Sequence, residues 1–349
     1  LAKYATSVNY WNIQKSDAPN SFITALKDAI TPLPRLVREY PIELAEQIYR
    51  NLPARIKIER IHVFRLGLAR IGETITNNLE LPLNRLFIDM DDYESESAKR
   101  NLSLQQSSLG KILSLYCKID IKKLEKYEIN ISKKTGSIYL CSEIDKNKFI
   151  KKTHSKNIKI IPNTYRIPPN TIPKRKPENK KTILFIGSLN YEPNIDAIDY
   201  FINSIWNPHL KSYGHELIIA GRLPSESLIN ACMENKITLI ADPPDIEPLY
   251  RDADLLVVPI RTGGGTRIKI LEAFGYGRPV VSTSIGAEGL DVYNEKQLML
   301  ADTPISFSQA CIKVLNDDEF ANKITQSARK LVKERYSLEA IADNLLSGY

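Results

Sequence analysis

No stretch of this sequence approaches the ~18 to 20 consecutive apolar residues that a membrane-spanning helix needs. No charged-then-apolar leader precedes a small-residue cleavage site either, so a soluble protein with a cytoplasmic address is the expectation. Cysteine is scarce. Cys117, Cys141, Cys232 and Cys311 stand far apart with no C-x-x-C pair, which argues against a zinc site or a secreted disulfide framework and predicts buried thiols. Histidine is as sparse: His154, His209 and His215 have no metal-ligand spacing, and no role is assigned to them. Fixed-period repeats are absent, which sets aside solenoids and propellers.

What remains is a chain of 349 residues, 43% hydrophobic, long enough for a sizeable core and more readily divided into two domains than one. Its net charge of +7 is unevenly placed. Lys118 to Lys181 carry 18 basic against 6 acidic residues, a local +12 that leaves the rest of the chain at −5. That region is either a solvated helix face plus a charged linker, or a surface for anionic lipid or phosphorylated acceptor. Nucleic acid is disfavoured, since neither interleaved aromatics nor a recognised module accompanies the charge.

The run YRIPPNTIPKRKPENKK, with four prolines and no apolar period, reads as a linker over 166–181. It separates a domain over 1–165 from one over 182–335, followed by a terminal helix over 336–349 expected to return toward the first domain. After the linker, short apolar runs alternate with helical patterns: TILFIG, NIDAIDYFINSIW, ELIIAG, a helix from Pro224 to Asn235, ITLIA, ADLLVVP and RPVVST. Each parallel strand needs a crossover, so this alternation predicts a doubly wound parallel sheet. The first half shows the same grammar less completely. RIHVFRL, RLFIDM, GSIYLCS and NIKIIPN read as strands, and Leu102 to Lys134 as one long helical stretch.

Between ADLLVVP and a short helix lie Gly263, Gly264 and Gly265, then Thr266, Arg267, Lys269 and Glu272. Glycines let backbone N–H groups approach a ligand, and a helix start offers unpaired donors to an anion. A phosphate is therefore expected there. The run is neither a Walker loop nor G-x-G-x-x-G. A helix dipole contributes only ~0.3 to 2 kcal/mol, too little to hold a pyrophosphate, so Arg267 and Lys269 are expected to supply charge. One turn after Lys269, Glu272 could accept both hydroxyls of a ribose. The bland alternative is that the glycines only let the helix pack tightly and Glu272 is a surface residue.

GGGTRIKILEAFGYGRPVVST, with FIGSLNYEPN, ADLLVVP, GAEGL and KERYSLEAIADNLL, resembles glycosyltransferase family 4. YLCSEID and IIPN extend the resemblance into the first half. It implies the GT-B architecture, an α/β fold of two Rossmann-like doubly wound domains facing a cleft, and retaining transfer from a nucleotide diphosphate sugar without an essential metal or other cofactor. It also implies that Glu272 matches the second glutamate of an E-x7-E motif, and that Gly263 to Thr266 cradle the diphosphate and sugar. Arg267 and Lys269 would stabilise the leaving phosphate. Gly187 and Ser188, Arg222 and Pro243 fall where donor-binding loops are expected. Two departures stand out. The first glutamate of E-x7-E is replaced by Gly264, and the G-R pattern after the first strand of this domain is replaced by Gly187, Ser188 and then Tyr191-Glu192-Pro193-Asn194.

In the first half, Asp89 and Asp91 form a D-x-D, but with the phosphate site elsewhere they read as cleft residues and not as metal ligands. Asp91, Asp92, His62 and Arg65 are acceptor-side candidates, and Asp89 is a weaker catalytic one. The expected activity is transfer of a hexose-type unit to a saccharide or lipid-linked acceptor in surface polysaccharide or glycoconjugate synthesis, with peripheral membrane contact through 118–181. A nucleotide-sugar epimerase and a non-catalytic nucleotide-binding scaffold are the alternatives. The chain opens on Leu1, and nothing in residues 1–60 reads as the opening strand and glycine-rich loop of a full domain. Either upstream residues are missing or the first sheet is reduced, its edge covered by a partner or by oligomerisation.

Overall fold

A computed structural model of the chain describes residues 30–52, 57–105, 110–168 and 180–347. Two compact units emerge. One comprises residues up to Ser95 with Gln105–Tyr139 and Phe149–Lys159; the other comprises Glu96–Leu104, Leu140–Lys148 and everything from Ile160 onward. The linker reading over 166–181 falls largely outside the described residues.

In the first unit, helices α1 (Arg35–Arg38) and α2 (Glu43–Arg50) precede strand β1 (Ile61–Phe64), and α3 (Ala69–Asn78) leads to β2 (Leu86–Asp91). Leu44 and Ala45 of α2 pack on Ile71 and Ile75 of α3, the i, i+4 spacing that puts two apolar side chains on one helix face. The four-stranded sheet runs β1-β2-β3-β4, with β3 at Ser137–Leu140 and β4 at Ile158–Ile160. β1 and β2 are parallel, Ile61 opposite Leu86. The single helix expected over Leu102–Lys134 is instead two, α4 (Glu94–Gln105) and α5 (Lys111–Lys134). Gly110, at φ −57° and ψ 147°, is extended backbone that cannot continue a helix. Helix α6 (Glu143–Thr153) joins β3 to β4.

The second unit holds a six-stranded sheet in the order β10-β9-β8-β5-β6-β7. Its strands are β5 (Thr182–Ile186), β6 (Glu216–Gly221), β7 (Thr238–Ala241), β8 (Leu255–Val258), β9 (Val280–Ser282) and β10 (Met299–Leu300), with every neighbouring pair parallel. All four residues of β8 are buried, as expected for a parallel strand covered on both faces. α7 (Glu192–Tyr200) follows β5 and runs on as a π-type segment, Phe201–Leu210, through Pro208. Helix α8 (Glu226–Asn235) opens where Ser225 accepts a hydrogen bond from the Leu228 amide at 3.2 Å. Then come α9 (Glu247–Asp252), α10 (Ile268–Gly275) after the glycine run, α11 (Pro304–Asn316), α12 (Asp318–Leu331) and α13 (Leu338–Ser347).

Among the described residues the first sheet has fewer strands than the second, and residues 30–52 contribute helices only; most of the 1–60 stretch read as lacking an opening strand and glycine-rich loop lies outside the described residues. All four cysteines are free thiols; Cys141, Cys232 and Cys311 are buried and Cys117 is partly so. Among the described residues no helix is long and apolar enough to cross a membrane.

Candidate functional site

The glycine run leaves the carboxyl end of β8, the edge at which open parallel sheets present ligand-binding loops. Gly263 and Gly265 take φ of 98° and 68°, a region that side chains with a Cβ rarely enter. Arg267, the N-cap of α10, curls back over this loop. Its guanidinium donates to the carbonyls of Gly264, of Gly265 at 2.8 Å and of Thr262 at 3.1 Å. Arg267 therefore fixes the loop's shape as well as bringing a positive charge to it. Thr266 is clamped from the side by Asn163, whose amide donates to Thr266 Oγ1 at 2.6 Å. Thr262 Oγ1 is buried without a hydrogen-bond partner among the described residues. Gly264, where the resemblance calls for a glutamate, has its side-chain space taken: a Cβ there would stand 1.8 Å from Ser97 Oγ of α4.

Lys269 lies on the first turn of α10 and is half-buried, its side chain running inward. Its Nζ donates to Asn194 Oδ1 at 2.9 Å and stands 4.5 Å from the centre of the Phe185 ring. Burial, with Arg267 adding repulsion and Glu272 opposing both, pulls its pKa down from the usual 10.5 to about 7. A buried cation at that threshold readily takes up a proton when an anion arrives. Above it runs the turn after β5. A Cβ on Gly187 would come within 2.8 Å of both Lys269 Nζ and Asn194 Nδ2, so a side chain there would push on both.

One turn further along α10, Glu272 accepts a hydrogen bond from the Tyr250 hydroxyl at 2.6 Å. Tyr250 is fully buried on α9 and stacks on Tyr276, ring centres 5.1 Å apart. Burial raises the Glu272 pKa, while Tyr250 and Lys269 favour its charged form. The carboxylate is thus held by one oxygen, one turn from Lys269 on the same helix face.

The remaining candidates in this unit are looser. Ser188 accepts through its backbone carbonyl from Asn194 Nδ2 at 2.8 Å. Arg222 is exposed after β6, its carbonyl accepting from the Leu189 amide at 2.8 Å. Pro243 follows β7 beside Asp242, whose carboxylate accepts from the Leu223 amide at 3.1 Å. All three stand at the carboxyl ends of strands, on the same edge as the glycine run.

Several partners escaped the sequence reading. Asn194 and Tyr250 hold Lys269 and Glu272, yet YEPN was notable there only as a departure, and Tyr250 had no signal beyond its aromatic character. Arg100 donates to the Gly263 carbonyl at 3.0 Å and pairs through both guanidinium arms with Glu288 of the GAEGL run. Lys148 donates to the same carboxylate at 2.9 Å. Although burial pushes Glu288 up, these bonds dominate and hold its pKa at about 2.

In the first unit the structure brings Arg65, Asp91 and Asp92 together. Arg65 pairs with Asp91 at 2.9 Å and with Asp92 at 3.8 Å, and its amide donates to the Asp89 carbonyl at 2.6 Å. Arg65 and Asp91 both adopt positive φ, 78° and 61°, where β1 and β2 end. The Asp89 carboxylate accepts from the Asp91 amide at 3.1 Å, and burial lifts its pKa to about 6. His62 is at an exposed position of β1, where its ring stacks on Tyr139 with centres 5.6 Å apart and partial burial lowers its pKa.

The second unit, with a carboxylate and a lysine one turn apart behind a glycine run, also carries the match to a known family. Residues 180–317 match the model of the family described as glycosyl transferases group 1. A protein in the cps region of Klebsiella pneumoniae, uncharacterized, is 27% identical over 177 residues, which cover 47% of this chain and 44% of that protein. An uncharacterized glycosyltransferase of Methanocaldococcus jannaschii is 28% identical over 189 residues, 49% of this chain and 45% of that one. The chain therefore aligns with less than half the length of these relatives. The crystal structure of TarM superposes with a TM-score of 0.67 at 17% identity, covering 89% of this chain and 58% of TarM. That likeness shows the fold, the α/β GT-B class with its parallel sheets.

Proposed function

We propose that the protein is a retaining glycosyltransferase that moves a sugar from a nucleotide diphosphate sugar to an acceptor hydroxyl. The observation that carries this reading is the placing on one face of α10 of Lys269, its ammonium against Asn194 and the Phe185 ring, and Glu272, directly behind the glycine run. Negative charge grows on the departing phosphate as the anomeric C–O bond breaks, and preorganised donors aimed at it lower the barrier most. The backbone amides of Gly263 to Thr266, with Arg267 and Lys269, supply such donors. Glu272 takes the ribose hydroxyls with its oxygen not bonded to Tyr250. Gly187, Ser188, Arg222 and Pro243 complete the donor side in this reading. A structure of TarM from S. aureus holds UDP, fondaparinux and α-GlcNAc-glycerol, which supports a nucleotide donor and a saccharide acceptor for this chain.

The acceptor, a saccharide or lipid-linked saccharide in surface polysaccharide or glycoconjugate synthesis, is assigned to the Arg65, Asp91 and Asp92 cluster, with Asp89 bonded into it and His62 as a further acceptor-side candidate on β1. The cps-region relative supports that setting. Cations at the phosphate take the place of a metal, so no cofactor is needed. The basic region over 118–181 meets an anionic membrane surface at the inner face of the membrane, and a second copy or partner covers the first sheet's edge. The test is calorimetry with UDP, GDP, ADP and dTDP, then a transfer assay with the matching sugar nucleotides, anomeric outcome read by NMR, with and without EDTA. Donor binding and transfer with retention in EDTA are expected. Isomerised free sugar nucleotide without transfer would instead assign an epimerase, and rescue of a chelated enzyme by Mn²⁺ would give Asp89 and Asp91 to a metal.

A further inference from the structure

Lys269 can serve a phosphate only if its ammonium is held at the right place in an apolar setting. A lysine side chain has four rotatable bonds, and a buried ammonium without an acceptor is costly enough to shed its proton. Phe185 offers a ring face, and Glu272 acts on the ammonium through charge, while the hydrogen bond of Lys269 Nζ goes elsewhere. The acceptor is Asn194.

We infer that Asn194 is a positioning residue, joining the turn after β5 to the helix after the glycine run and so fixing where the Lys269 ammonium stands. The inference rests on the donor-site reading above and names a residue that reading does not use. Three observations carry it. First, the amide's orientation is set by chemistry: lysine only donates and a carbonyl only accepts, so Oδ1 faces Lys269 at 2.9 Å and Nδ2 faces the Ser188 carbonyl at 2.8 Å. Second, Asn194 is only 6% exposed, so water cannot replace either bond. Third, the Gly187 backbone passes over the pair within the space of one methyl group, so a shift of Asn194 moves the turn and the cation together.

The local sequence builds this part. Tyr191-Glu192-Pro193-Asn194 opens α7: the Asn194 amide donates to the Tyr191 carbonyl at 2.8 Å, and proline in the first turn presets the helix entry. Pro193 also packs at the glycine run, where a Cβ on Gly263 would sit 3.4 Å from Pro193 Cγ. One helix start therefore touches the β5 turn, the glycine run and Lys269.

Asn194→Ala removes both bonds. Asn194→Asp keeps the volume and the acceptor for Lys269 but sets a carboxylate against the Ser188 carbonyl, so it separates the two contacts and guards against a misfolded alanine variant. Two readouts apply. With whichever of UDP, GDP, ADP or dTDP binds best, calorimetry on Asn194→Ala should show at least a tenfold loss of affinity, while the matching nucleoside without phosphate changes less than twofold. Asn194→Ala should add nothing to the loss caused by Lys269→Ala, because both act through one contact. The second readout needs no nucleotide: side-chain ¹⁵N NMR of lysine-labelled protein, with the Lys269 signal assigned by its loss in Lys269→Met. Its titration midpoint should fall in Asn194→Ala and rise in Asn194→Asp, with Arg267 and Glu272 unchanged in both. An unmoved Lys269 titration, or equal losses for nucleoside and diphosphate, would overturn the inference. If none of the four nucleotides binds the unaltered protein, the donor-site reading fails, and the lysine titration alone then decides whether Asn194 positions Lys269.

Discussion

Tyr250 donates its hydroxyl to Glu272 Oε2 at 2.6 Å, from a ring with no exposed surface. The bond fixes one carboxylate oxygen and leaves the other for a ligand. Charge-assisted hydrogen bonds contribute about 1.5 to 3 kcal/mol each, so losing two ribose contacts in Glu272→Ala should weaken nucleotide binding by one to several orders of magnitude. Tyr250→Phe should cost less, roughly a tenfold loss, since the carboxylate remains but is no longer held. Calorimetry on both folded variants checks this, and unchanged affinity in Glu272→Ala would sink the ribose assignment.

Lys269 gives a pH signature whose sign follows from its depressed pKa. The folded protein releases the Lys269 proton at a pH of about 7, whereas an unfolded chain keeps it to the usual 10.5. Between these values the unfolded state binds more protons, so this group makes stability rise with pH across that window, and the penalty of the buried charge is complete below pH 7. A bound diphosphate favours the charged form. Nucleotide binding at pH 8 to 9 should therefore take up close to one proton, read from binding enthalpies in buffers of different ionisation heat. Lys269→Met should abolish the uptake, and uptake that persists in that variant would place the effect on another group.

How far the sequence alone led is clearest on α10. The strand-loop-helix order, the three glycines and the spacing of Lys269 and Glu272 were all readable because helical period and glycine chemistry are local. What those side chains touch was not. Asn194 lies 75 residues from Lys269 and Tyr250 lies 22 from Glu272, separations that only the sheet order brings together. Arg267 was read as a phosphate cation from its charge, yet its first partners are the loop's own carbonyls, because an arginine at an N-cap can fold back onto the turn before it. Gly110 lies inside an apolar helical pattern, and its extended backbone at the start of α5 is set by geometry that periodicity does not report.

Glu288 predicts an acid-sensitive contact. Its folded pKa of about 2 lies below the ordinary 4.5, held there by Arg100 and Lys148 against the opposing effect of burial. A depressed carboxylate contributes stability that is fully present above the unfolded pKa and is lost as pH falls through the folded one. Thermal unfolding followed from pH 5 to pH 2 should thus show a falling midpoint that Glu288→Gln flattens. An acid limb of the same steepness in the variant would mean that the three side chains are not paired in solution.

Gly264 and Ser97 provide the sharpest steric test. Gly264 is not in the left-handed region, so any cost of a larger residue there comes from space and not from backbone conformation. A Cβ at this position would meet Ser97 Oγ at 1.8 Å and Ser97 Cβ at 3.0 Å. Overpacking of this kind costs about 1 to 3 kcal/mol, so Gly264→Ala should lower the thermal midpoint by several degrees and loosen the loop that Arg267 and Arg100 brace. Removing the hydroxyl relieves the closer contact, so Ser97→Ala combined with Gly264→Ala should recover more than half of the loss although Ser97→Ala alone gains nothing. The same geometry says that placing a glutamate here, Gly264→Glu, will not raise transfer: its side chain must push Ser97 of α4 away from the glycine run. Higher transfer rates in Gly264→Glu, with stability unchanged, would show that Ser97 does not occupy that space in solution.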